Sequence, residues 1–259
     1  MTGRRLILVT NDDGVAAPGL AALAAALDAV GEVVVVAPDR GRSAVGHAVT
    51  MTEPLRAWRD RWADGREVFV VDGTPADCVK IGVKALLDGR PDAVVSGINL
   101  GGNAGVNVIY SGTVSAATEA TILGIPAAAV SLDTFTDPDF GPAARVAASV
   151  ASKLLAEGLP PGVLLNVNVP AVPQGEIAGF KITRQSGAVM EDRYEERLDP
   201  RGRRYFWLAA ERMVGPEPRP DDDVTALREG YVSITPIHYD LTNDAARRLI
   251  AGWAEELAL

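Results

Sequence analysis

Short apolar runs bounded by glycine, proline and polar residues recur along the first half of the chain. They alternate with longer stretches whose apolar residues have helical spacing. Arg5 to Thr10 carries Leu6-Ile7-Leu8-Val9 and predicts a strand. Pro18 to Val30 is rich in Ala and Leu, begins on proline and is followed by Gly31, the punctuation of a helix. Glu32 to Ala37 holds four consecutive valines, a β-branched run suited to a strand buried on both faces. Further strands are predicted over Met51 to Trp58, Val68 to Val71 and Asp92 to Ser96. Between the last two, Thr74-Pro75 reads as the N-cap and first residue of a helix running through Leu87. Alternation of this kind implies parallel strands joined by crossover helices: an α/β fold with a Rossmann-like, mostly parallel sheet flanked by helices.

The second half is less regular. A helix ends near Gly124, Ala127 to Ser131 reads as a strand, Ala143 to Glu157 as a helix, and Leu164 to Pro170 as a strand stopped by proline. Phe180 to Leu208 alternates charged and apolar residues around Asp199-Pro200-Arg201-Gly202, which predicts a long protruding β-hairpin. Gly215 to Asp223 is a Pro/Asp-rich loop; a strand over Tyr231 to Thr235 and a terminal helix from about Asn243 follow. One domain over residues 1–259 is expected, with a core over 1–135. The hairpin and C-terminal elements of 175–259 are expected to pack on another subunit, because a charged hairpin buries little apolar surface alone.

With 34 acidic against 25 basic residues, the net charge of −9 argues against a protein that coats a nucleic-acid polymer. It leaves room for a small anion, since a bound metal and a few donors can invert the potential of one cleft. The lone cysteine, Cys78, cannot form an intramolecular disulfide. The apolar run behind Arg4 and Arg5 is too short for a signal peptide, and none approaches a membrane span, so a cytoplasmic setting is expected.

Two stretches carry candidate chemistry. The first, Thr10-Asn11-Asp12-Asp13-Gly14, puts adjacent carboxylates at the tip of the first strand. Like charges that close repel, and burial raises their pKa unless a cation or several donors compensate. A hard divalent metal is the simplest compensation, and strand tips are where open α/β sheets bind ligands. Taken alone, Asp-Asp-Gly is equally ordinary turn chemistry. The second stretch, Gly97 to Gly105, is Gly/Asn-rich and leads to Tyr110-Ser111-Gly112-Thr113 at a helix start. Backbone N–H groups, hydroxyls and a positive dipole end suit an anion there, although a long connection with an N-cap has the same composition. Neither a Walker loop nor a Gly-x-Gly-x-x-Gly fingerprint occurs.

Several motifs in order resemble those of the SurE survival-protein family, over nearly the whole chain. They are Val9 to Gly14, Val36-Ala37-Pro38-Asp39, Gly73 to Lys80, Ser96-Gly97-Ile98-Asn99, Tyr110 to Val114 and Gly230 to Pro236. The resemblance implies a metal-dependent phosphatase acting on nucleoside 5′- and 3′-monophosphates, in some members also on polyphosphate. It further implies a homodimer or homotetramer that exchanges C-terminal elements. Carried over residue by residue, one divalent ion, Mg²⁺ or Mn²⁺, is expected on Asp12, Asp13, Ser43 and Asn99, all oxygen donors. Phosphate is expected on Asn103, Ser111, Gly112 and Thr113, with Asp12 and Asp13 also catalytic. Ala44 and Ser115 stand where family members often have glycine, which bears on loop shape. A phosphatase with an aspartyl nucleophile is a poorer match, because Asn11 occupies the attacking position. A non-catalytic nucleotide sensor on the same cleft is the other alternative. Of the remaining candidates, His47 lies close behind Ser43 and His238 does not. Cys78 reads as a small buried residue. Arg40, Arg42 and Lys80 either add positive potential or lie in solvent, and Trp58, Trp62 and Trp207 either stack on a base or pack.

Overall fold

The computed structural model describes residues 4–257, apart from the side chains of Met190 and of residues 209–213. The strands are β1 (Leu6–Thr10), β2 (Glu32–Pro38), β3 (Ala57–Arg61), β4 (Glu67–Val71), β5 (Ala93–Leu100), β6 (Ala127–Asp133), β7 (Val163–Pro170), β8 (Gly179–Ile182), β9 (Val189–Leu198), β10 (Arg204–Val214) and β11 (Tyr231–His238). All but β9 and β10 form one nine-stranded sheet in the order β3-β4-β2-β1-β5-β6-β7-β11-β8. From β4 to β7 every neighbouring pair is parallel, while β3 and β11 run antiparallel to β4 and β7.

Helices α1 (Pro18–Leu27), α2 (Pro75–Ile81), α3 (Asn107–Tyr110), α4 (Gly112–Ile122), α5 (Phe140–Glu157), α6 (Asp223–Arg228), α7 (Asp244–Leu249) and α8 (Trp253–Glu256) complete the chain. The alternation of side chains along a strand explains the layers. Ile7 and Val9 point to one face, into a cluster with Leu20, Leu23 and Leu27 of α1 and Val146, Val150 and Leu154 of α5. Leu8 points to the other, among Cys78 and Val79 of α2 and Val114, Ala117 and Ala120 of α4. Around β1 the sheet is therefore dry on both faces.

Several boundaries differ from the sequence expectation. The strand expected over Met51 to Trp58 begins only at Ala57, because the backbone donors before it bond to side chains. Thr50 N–H donates to Asp77 and Arg56 N–H to Asp72. The helix expected to reach Val30 closes at Leu27, and the one expected to reach Leu87 becomes a π-helical turn over Gly82–Leu86. The hairpin is the pair β9–β10, not Phe180 to Leu208. Phe180 belongs to β8, which joins the main sheet beside β11, where the Thr183 hydroxyl meets those of Ser233 and Thr235. The terminal helix starts as expected, with Asn243 capping α7, then breaks at Ile250 and resumes as α8.

The hairpin stands apart as a two-stranded sheet, with Tyr194, Leu198, Phe206 and Trp207 more than half exposed. Leu241, Leu249, Trp253 and Leu257 at the C-terminal end are exposed too. Among the described residues no helix is long and apolar enough to cross a membrane.

Candidate active site

The carboxyl ends of β2, β1, β5 and β6 lie side by side, and the site is built from the loops that leave them. Asn11 shapes the first loop: its amide donates to the Gly14 carbonyl and its Oδ1 accepts the Gly14 N–H. Gly14 has φ +95°, and a Cβ there would lie 2.8 Å from the Arg40 carbonyl carbon. The β1 and β2 loops therefore touch through backbone alone. Val15 N–H donates to the Pro38 carbonyl and Arg42 N–H to the Asp12 carbonyl at 2.7 Å, which sets Ser43 beside Asp12.

Asp12 is buried at the mouth of the first turn of α4. The Thr113 hydroxyl donates to its carboxylate at 2.5 Å, and the Thr113 backbone N–H bonds it as well. Gly112 permits this approach, since a Cβ would sit 2.8 Å from the Asp12 Cβ. Burial, and after it the charge of Asp13, outweigh the donors and push the Asp12 pKa up to about 6. Asp13 is raised by burial, against the Leu100 N–H that it accepts at 3.3 Å. Thr113, expected at a phosphate, thus donates its hydroxyl to the Asp12 carboxylate, and Gly112, expected there too, lies against the same side chain. The positive end of α4 is shared between that side chain and whatever occupies the space in front of it.

That space is a cavity of about 230 Å³ lined by Asp12, Ser43, Asn99, Asn103 and Ser111, with Asn107, Tyr110 and Phe135 at its margin. It gathers most of the candidate residues; Asp13 lies behind it, bonded to Leu100. Asn99 donates its amide to the Gly101 carbonyl at 2.6 Å, which leaves its Oδ1 for a ligand. Ser111 caps α4 by accepting the Val114 N–H, so its own proton is free to point into the cavity. Two carboxylates, an amide oxygen and a hydroxyl make an all-oxygen donor set, which suits a hard divalent cation. Among the described residues no group of three His, Cys, Asp or Glu side chains has metal-binding geometry.

Asn103 is held by residues that the strand pattern did not single out. Its N–H donates to Asn168, its Nδ2 to Ser131, and its carbonyl accepts from both Asn166 and Asn168. Asn166 and Asn168 alternate on β7 and are fully buried, a costly use of amides in a core strand. That pair of buried-strand amides was the available signal. Asp223 does the same for Gly105, accepting its N–H and that of Ser186.

Of the weaker candidates, His47 bonds Glu119 on α4 at 3.0 Å, and Lys80 bonds the other oxygen of that buried carboxylate. The two bonds hold Glu119 below the ordinary carboxylate range and pin the loop that carries Ser43. Arg42 ties Asp39 to the Asp72 carbonyl, Trp62 donates to the Val15 carbonyl, and Cys78 is buried in the core. Trp58 and Trp207 lie on β3 and β10; the aromatic rings at the cavity are Tyr110 and Phe135.

Residues 7–192 match the family model described as survival protein SurE. A 5′-nucleotidase SurE of Syntrophotalea carbinolica is 51% identical over 96% of this chain and 97% of its own length. One of Moorella thermoacetica is 50% identical over 96% and 95%. The crystal structure of the SurE protein from Aquifex aeolicus superposes with a TM-score of 0.83 at 43% identity, covering 96% of this chain and 99% of that one.

Asp12 predicts a measurable trade-off. With its folded pKa near 6 and the unfolded value at 3.8, the metal-free protein holds a proton that the unfolded chain has lost. Stability therefore falls as pH rises from about 4 to 6, and above that window the carboxylate costs about 3 kcal/mol. Asp12→Asn, which keeps an acceptor for Thr113, is expected to stabilise metal-free protein by about 1–3 kcal/mol at pH 8 and by little at pH 4. Chemical denaturation at both pH values, in the presence of chelator, checks the sign.

Proposed function

The chain belongs to the SurE survival-protein family, and we propose that it is a metal-dependent phosphomonoesterase cleaving nucleoside 5′-monophosphates, and 3′-monophosphates, to nucleoside and phosphate. The observation that carries this reading is the buried Asp12 carboxylate, raised beside Asp13 and facing one cavity with Asn99 Oδ1, the Ser43 hydroxyl and the free proton of Ser111. The 5′-nucleotidase relatives point to the same chemistry.

Asp12, Asp13, Ser43 and Asn99 would hold one Mg²⁺ or Mn²⁺. When bound, such an ion offsets the paired carboxylate charge and lends Lewis acidity to the phosphoryl group and to water. The remaining work falls to side chains. Ser111 donates its hydroxyl proton to a phosphoryl oxygen, and Asn103, braced on Ser131 and the β7 asparagines, supplies its second amide proton. The first turn of α4 favours negative charge as it spreads over the equatorial oxygens. Asp12, lining the cavity, is the acceptor for the proton of an attacking water. A covalent route is poorly served: Asn11 is committed to Gly14, His47 to Glu119, Cys78 is buried with its thiol pushed far up, and Thr113, though its hydroxyl is paired with Asp12, does not line the cavity. Water attack as the P–O ester bond breaks is therefore a single displacement.

We further propose a homodimer or homotetramer that exchanges C-terminal elements, supported by the unpaired β9–β10 sheet and its exposed aromatic side chains, and a cytoplasmic setting, supported by the one buried cysteine.

Four outcomes are expected. Chelation abolishes hydrolysis of adenosine 5′-monophosphate and Mn²⁺ or Mg²⁺ restores it; activity that survives exhaustive chelation would overturn the metal assignment. A phosphomonoester chiral at phosphorus yields inverted phosphate, whereas retention would require a phosphoenzyme. Ser111→Ala lowers kcat about 10- to 1000-fold without abolishing it, and complete loss with metal binding intact would give Ser111 a chemical role. Sedimentation velocity at micromolar concentration is expected to show no monomer; an active monomer would refute the assembly.

A further inference from the structure

A second cavity, of about 250 Å³, adjoins the first and shares Gly102, Asn107 and Phe135 with it. Its other walls are the apolar Ala104, Val224 and Leu227 together with two charged side chains, Asp133 and Arg228. Nothing in the phosphoryl chemistry above uses it.

Phe135 separates the two spaces and is 76% exposed, an unusual exposure for a large aromatic side chain. Its ring lies over Gly101, where a Cβ would come within 2.4 Å of the ring edge. One side of the ring is thus fixed against the loop that joins Asn99 to Asn103, and the rest is open. A fixed aromatic surface at the margin of a phosphate site suits a nucleobase, whose stacking is insensitive to base identity. Asp133 lies just past the first turn of this arrangement, at the end of β6. The bond its carboxylate accepts is the Gly102 N–H, and burial raises its pKa against that donor, with no cation contributing. A carboxylate with acceptor capacity to spare, next to a phosphate site, matches the hydroxyls of a ribose. With Asp133 and Arg228 both lining it, the cavity carries no net charge, which suits an uncharged nucleoside better than the continuation of a polyphosphate chain.

We infer that the nucleoside half of a 5′-monophosphate substrate occupies this second cavity, its base stacked on Phe135 and its ribose hydroxyls donating to Asp133. The inference rests on the first cavity being the phosphomonoesterase centre, and it makes Phe135 and Asp133 specificity residues without a part in bond cleavage.

The test compares metal-loaded wild type, Phe135→Ala and Asp133→Asn on adenosine 5′-monophosphate, its 2′-deoxy analogue and base-free ribose 5-phosphate. Both KM and calorimetric dissociation constants are read, so that a failure of turnover would refute the phosphomonoesterase reading while the binding comparison still decides this one. Phe135→Ala is expected to weaken adenosine 5′-monophosphate roughly tenfold or more and ribose 5-phosphate less than about twofold. Wild type is expected to favour the ribonucleotide over the deoxynucleotide roughly tenfold, and Asp133→Asn to reduce that ratio towards one. Equal effects of Phe135→Ala on both substrates, no effect on either, or a ribose preference unchanged in Asp133→Asn would overturn the inference.

Discussion

Two neighbouring carboxylates held out of water at the end of a buried strand are unfavourable, and the surrounding structure is arranged around that fact. Burial raises both carboxyls, and the charge of Asp13 raises Asp12 further. Three compensations converge on Asp12: the Thr113 hydroxyl, the Thr113 N–H and the positive end of α4. They are insufficient, since the carboxyl still sits near 6. That remaining electrostatic deficit is what the proposed cation would offset.

The fold supplies the placement. Parallel strands with crossover helices bring the ends of β1, β2 and β5 together, and a backbone bond from Arg42 to Asp12 adds Ser43 to the set. The far wall is braced differently, by the amides of Asn166 and Asn168, which are wholly buried and bind the Asn103 backbone. The loop behind Ser43 is pinned in turn through His47 and Lys80 to Glu119, and through Thr50 to Asp77. Rigid secondary elements thus brace the loops that carry Asp12, Asp13 and Ser43, while Asn99 lies in β5 itself.

Much of this was legible in the sequence. The valine run of β2 and the proline start of α1 report local preferences that tertiary structure did not override. The Asp12-Asp13 pair was legible because two carboxylates after a buried strand violate ordinary patterning. Other features depended on partners distant in sequence. Thr113 looked like an anion ligand because its neighbours are those of an N-cap; that it faces Asp12 follows from the packing of α4 against β1, 101 residues away along the chain. Phe135 and Asp133 gave no periodic signal, since Asp133 is the last residue of β6 and Phe135 lies just past it. β8 was assigned to the hairpin because its alternation continues that of β9, and its pairing with β11 is a contact across more than 50 residues.

The central claim is that the carboxylate pair is a cation site whose empty form holds a proton, and proton release on metal binding tests it most directly. Mn²⁺ titrated calorimetrically at pH 6, in buffers of different ionisation enthalpy, should release about half a proton attributable to Asp12, falling towards zero by pH 8 as that group ionises unaided. The Asp12→Asn protein should release correspondingly less. Tight Mn²⁺ binding with no pH-dependent proton release, or the same release from Asp12→Asn, would contradict the account.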